Sequence, residues 1–65
     1  MLIRINGRTC WTTEEHVTAG FLCSLAGEQG RVFLVPGEGV DGDPVEIVTD
    51  CWLSDGAEIE VLEDR

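Results

Sequence analysis

The dipeptide Asn6-Gly7 constrains this chain more than any other feature of its sequence. A two-residue type I′ turn needs positive φ at both central positions, which glycine adopts freely and asparagine tolerates better than most residues. With Leu2-Ile3-Arg4-Ile5 before it and Arg8-Thr9-Cys10-Trp11 after it, the dipeptide predicts an opening β-hairpin whose second strand covers 8–13. So short a turn also fixes the register: Ile5 opposite Arg8, Arg4 opposite Thr9, Ile3 opposite Cys10 and Leu2 opposite Trp11. Side chains alternate along a strand, so Ile3 and Cys10 share one face and Leu2 and Trp11 the other.

A helix is expected next, over 19–26. Thr18 can cap it by accepting an orphan backbone N–H, and Gly27 can close it in the left-handed conformation. Its apolar residues pair at helical spacing, Phe21 with Leu25 and Leu22 with Ala26, and Phe21 and Leu25 are expected to turn from solvent. An earlier start at Thr13, with Glu14 and Glu15 in the first turn, is the open alternative. Residues 31–35 form a β-branched and aromatic run suited to a central strand, ended by Pro36. A Gly- and Asp-rich loop over 37–44, a short strand over 45–48 and a turn or single helical turn over 50–53 should follow. After the tight turn Ser54-Asp55-Gly56, alternation over 57–62 gives a last strand with one core face and one acidic face, Glu58 and Glu60 lying on the latter. The expected class is therefore α+β: a mixed four- to five-stranded sheet with one helix packed on one face, in a single domain over 1–65 whose residues 62–65 form a tail.

Composition narrows the function. With 13 acidic residues against four arginines, and a net charge of -9, the chain would repel a phosphate backbone and an anionic membrane surface, so neither nucleic acid nor membrane is expected as a partner. Cys10, Cys23 and Cys51 show no paired spacing, which suits reduced thiols and a cytoplasmic protein. His16 is the only histidine, expected in a surface loop, and no ligand set for a metal or cofactor forms around it. Gly37, Glu38, Gly39 and Gly42 imitate a phosphate loop, but no lysine or helix follows, and Glu38, Asp41 and Asp43 would repel phosphate. Asp41 and Asp43 also lack the oxygen spacing of a calcium loop. No nucleophile has a paired base, so no enzymatic activity is expected.

Four segments together carry a family resemblance: Ile3-Arg4-Ile5-Asn6-Gly7-Arg8, the Thr18-Ala19-Gly20 helix entry closing at Leu25-Ala26-Gly27, Val32-Phe33-Leu34-Val35, and Leu53 to Val61. Over nearly its whole length the chain resembles the bacterial ubiquitin-like domains of the multiubiquitin type, which implies a ubiquitin-like β-grasp. The resemblance also implies a modifier. Its C-terminal carboxylate is adenylated by an E1-like activating enzyme and passed through an E2-like carrier to a target, with a peptidase to remove it. The reacting group would be the α-carboxylate of Arg65, threaded by a tail of Leu62, Glu63 and Asp64. These residues stand where such modifiers usually carry Gly-Gly, so a non-conjugated interaction module, binding a basic partner through Glu58, Glu60 and Glu63, is the alternative. Leu2 and Trp11 are the expected hot spot of the partner surface. Trp52 is expected to be a core lid. Lysine is absent, so lysine-linked polymers of the chain are excluded by composition.

Overall fold

The computed structural model describes residues 1–37 and 41–63. Glu38 and Gly39 of the expected loop, and Asp64 and Arg65 of the expected tail, lie outside the described residues.

The chain runs β1 (Leu2–Ile5), β2 (Arg8–Trp11), β3 (His16–Thr18), α1 (Ala19–Ala26), β4 (Gly30–Val35), β5 (Val45–Ile47), β6 (Asp50–Trp52) and β7 (Glu58–Glu63). A mixed five-stranded sheet has the order β2-β1-β7-β4-β5, and β3 pairs with β6 in a separate two-stranded sheet. The β1–β7 pair is parallel, and the other pairs are antiparallel. With α1 packed against the five-stranded sheet, the arrangement is α+β and compatible with a β-grasp.

The opening hairpin takes the register that its turn dictates, from Leu2 opposite Trp11 to Ile5 opposite Arg8. Asn6 and Gly7 have φ of 53° and 79°, the positive values that a type I′ turn demands. Strand β2 stops at Trp11, earlier than expected, and Thr12 is buried with its hydroxyl accepting the Glu14 N–H at 3.1 Å. Asn6 does a second job: its Oδ1 accepts the Val61 N–H at 2.8 Å and its Nδ2 donates to the Val61 carbonyl at 3.3 Å. The direct pairing of β1 with β7 covers Arg4 with Glu58 and Ile5 with Ile59, and this amide continues the ladder where β1 has already turned away.

Helix α1 starts at the later of the two possible positions. The Thr18 hydroxyl accepts the Phe21 N–H at 3.1 Å, and Gly27 ends the helix at φ 74° while the Glu28 N–H returns to the Cys23 carbonyl at 3.2 Å. Its buried residues are Leu22 and Cys23. Phe21 is half-buried against the core, but Leu25 is 38% exposed and does not face inward as its spacing suggested. Eight residues make barely two turns, and the sheet takes up the side centred between Leu22 and Cys23. Leu25 instead lines a groove between helix and hairpin with Arg8, Cys10 and Glu28.

The β3–β6 pair is the main departure from expectation. His16 belongs to a strand, not a loop, and 50–52 form a strand in place of a turn or single helical turn. Thr18 opposes Asp50, Val17 opposes Cys51 and His16 opposes Trp52, so Val17 joins the core and Trp52 projects the other way. Trp52 is 71% exposed and is no lid; buried Leu53 fills that role one residue later. Strand β7 continues through Glu63, pairing Leu62 with Arg31 and Glu63 with Gly30, so these two residues are sheet and not tail.

One core serves all elements. Ile3, Ile5, Val32, Ile47, Ile59 and Val61 from the five-stranded sheet meet Leu22 and Cys23 from α1, with Val17 and Leu53 closing one end. Each fully buried side chain of this size stabilises the fold by roughly 1.5–3 kcal/mol relative to exposure.

Candidate functional site: the open face of the five-stranded sheet

Alternation puts every second residue of the sheet on the face opposite the core. Across the strands the register brings Trp11 beside Leu2, Thr9 beside Arg4, Arg4 beside Glu58, Glu60 beside Phe33, Leu62 beside Arg31, and Phe33 beside Glu46. Leu2, Trp11, Glu58, Glu60 and Leu62, all proposed from sequence, therefore share one surface. Trp11 is 67% exposed, Leu2 48% and Leu62 47%. Glu63 does not join them, since it has the parity of core-facing Val61. The acidic stripe expected of Glu58, Glu60 and Glu63 is thus broken after two residues.

The face is also less acidic than those two residues suggested, because two of the chain's arginines lie on it. Arg31 makes a bidentate bond to Glu46, with Nη2 to Oε1 at 2.8 Å and Nε to Oε2 at 3.2 Å, and its guanidinium lies 5.3 Å from the Phe33 ring centroid. Hydrogen bonding to Arg31 holds the Glu46 carboxyl below its ordinary value, more than slight desolvation raises it. Arg4 stands beside Glu58. What remains is an apolar surface of Trp11, Leu2, Phe33 and Leu62 with charges of both signs between, the composition of a recognition surface. Sequence reasoning placed Trp11 and Leu2 but missed Phe33 and Arg31, because a run read as a central strand gave no sign that one of its faces is open.

Anchoring of this face comes from the turn before β7. The Leu2 N–H donates to Asp55 Oδ1 at 2.8 Å, the Gly56 N–H to the Leu2 carbonyl at 2.8 Å and the Arg4 N–H to the Ala57 carbonyl at 2.9 Å. The exposed Leu2 side chain therefore sits on a fixed backbone, which lowers the ordering cost of binding.

No family model, curated protein or solved structure matches the chain. What the molecule can do chemically must be taken from its own groups.

Two of the three cysteines are poorly placed for nucleophilic work. Cys23 is buried with its Sγ 3.5 Å from the Gly30 carbonyl, and burial followed by the nearby Asp50 charge pushes the Cys51 thiol up. His16 neighbours Val17, whose partner is Cys51, but alternation sends the imidazole outward and the thiol inward. Among the described residues no cluster of three or more His, Cys, Asp or Glu could hold a metal ion. Nor is any helix among them long and apolar enough to cross a membrane.

Proposed function

We propose that the chain is a ubiquitin-like β-grasp domain that acts by being bound and joined to other proteins, a modifier activated at its C-terminal carboxylate by an E1-like enzyme and passed on by an E2-like carrier. The supporting observation is topological: a hairpin, a crossing helix, and a last strand laid parallel to the first in the centre of the sheet. This order leaves one face of the sheet bare, and that face carries Trp11, Leu2 and Leu62 on a rigid frame. The activating enzyme is its occupant. An exposed indole beside an aliphatic side chain is the type of contact that dominates binding energy in protein interfaces.

The test is an incubation of the purified chain with an E1-like enzyme and ATP, read by intact mass. An adenylated or thioester-linked species supports the modifier. If neither forms with a demonstrably active enzyme, conjugation is ruled out and the domain acts only as a non-covalent adaptor. The open face favours that second reading equally well, since it needs no covalent step. In the adaptor the partner surface is the apolar one around Trp11, because Arg4 and Arg31 offset the carboxylates beside them.

A further inference from the structure

The second tryptophan occupies a different environment. On the outer face of the two-stranded sheet the His16 and Trp52 rings stack with centroids 4.6 Å apart and planes 27° from parallel. His16 Nε2 lies 2.7 Å from Asp50 Oδ2, and Asp50 Oδ1 accepts the Thr49 hydroxyl at 3.1 Å. The imidazole thus covers one side of the indole and is itself held by the carboxylate, while 71% of Trp52 remains exposed. Val48, 79% exposed, precedes this strand by two residues. Glu14 and Glu15 lead directly into β3, and the Glu15 carbonyl accepts the Leu53 N–H at 2.7 Å, so an acidic segment runs alongside. No arginine falls in this region: of those among the described residues, Arg4 and Arg31 are on the open face of the larger sheet and Arg8 is in the opening hairpin.

We infer that the outer face of the β3–β6 sheet is a docking surface for a basic peptide segment of a protein partner, which lays an arginine or lysine side chain on Trp52 beside Asp50. The indole face is the strongest aromatic receptor for a cation. Here it is preoriented by its stack on His16, and the neighbouring charges, Asp50 with Glu14 and Glu15, are those that attract one. An Asp carboxylate offers about four lone-pair positions, so Asp50 can accept from a guanidinium while keeping His16 and Thr49. The inference does not depend on conjugation or on engagement of the open face.

The experiment titrates the 15N-labelled full chain with an acetylated, amidated Gly-Arg-Gly-Arg-Gly peptide and follows the two indole N–H resonances. The Trp52 signal should move while that of Trp11 stays in place. Trp52→Leu, which keeps an apolar side chain without the aromatic face, should weaken binding about fivefold. Asp50→Asn should weaken it less. Equal binding by the parent and Trp52→Leu, or shifts spread evenly over the acidic surface, would show that net charge alone attracts the peptide and would overturn the inference. So would a Trp52 resonance that moves with protein concentration in the absence of peptide, since a second copy would then occupy the surface. The wild-type titration involves no substitution, so a variant that failed to fold would not leave the matter open.

Discussion

The two faces of the five-stranded sheet are built from the same strands, residue by residue, yet they obey different rules. On the covered face Ile3, Ile5, Val32, Ile59 and Val61 are almost wholly removed from water beneath α1. On the other, Leu2, Trp11 and Leu62 alternate with Arg4, Glu58, Glu60 and Arg31 and remain open. Stability therefore resides on one side and the proposed recognition surface lies on the other, and a substitution should reveal which side it touches.

The largest effect is expected from Ile59→Ala. Removing this side chain from the centre of the covered face should cost about 2–5 kcal/mol. A domain this small has little more than that in total, so the variant should be largely unfolded at room temperature by circular dichroism and urea titration. A loss below about 1 kcal/mol would mean that the covered face is not the seat of stability. Next comes Asn6, which looks like an exposed turn residue but clamps β7. Asn6→Ala loses both the positive-φ preference and the amide bonds to Val61, and should cost about 2 kcal/mol. Asn6→Gly keeps the turn and loses only the clamp, so it should cost about half as much; equal stability to the parent would reduce the clamp to ornament. The double variant Leu2→Ala with Trp11→Ala should shift the urea midpoint by less than about 1 kcal/mol, as exposed substitutions do. Its affinity for the proposed activating enzyme should fall at least tenfold, measured by calorimetry. A large loss of stability without loss of binding would reverse the roles of the faces.

The smallest effect concerns pH. Arg31 depresses the folded-state pKa of Glu46 below its ordinary 4.5, so the pair adds stability above the unfolded-state pKa and loses it as pH falls through the depressed value. Glu46 is exposed, so the contribution is small and screened by salt. Glu46→Gln should be slightly less stable than the parent at neutral pH in low salt and indistinguishable from it at acid pH. A difference that grows on acidification would contradict the assignment.

The covered face was largely legible in the sequence because its signals are local and agree. Asn6-Gly7 dictated a register that holds at every paired position of the hairpin, Thr18 and Gly27 bracketed the helix, and the alternation of Glu58 to Val61 assigned the last strand. The β3–β6 sheet was not legible, because three-residue strands are too short to show a period. His16-Val17-Thr18 merges with a helix cap, and Asp50-Cys51-Trp52 contains an Asp that ordinarily marks a turn. Only long-range pairing makes strands of them, and with it Trp52 moves from an expected core position to the surface. Leu25 was misplaced for a related reason: in an eight-residue helix, packing outweighs the amphipathic pattern. The candidate recognition surface was half visible. Trp11 and Leu2 followed from the hairpin register, but Phe33, Arg31 and Arg4 became neighbours only once β7 was set between β1 and β4.

That placement of β7 has a consequence for how the molecule comes into being. The strand that joins the opening hairpin to β4 and β5 is the last one in the chain order, and its pairing with β1 links Arg4 to Glu58 and Ile5 to Ile59. On a ribosome, the hairpin and the β4–β5 ribbon emerge first as separate pieces, and neither has its neighbour until β7 appears between them. Closure of so long a loop comes before the contacts that repay it, so assembly should be slow for a domain of this size and close to all-or-none. Synthesis interrupted before Glu58 would release a chain whose two ribbons are not paired with each other and keep bare edges, a species prone to aggregate.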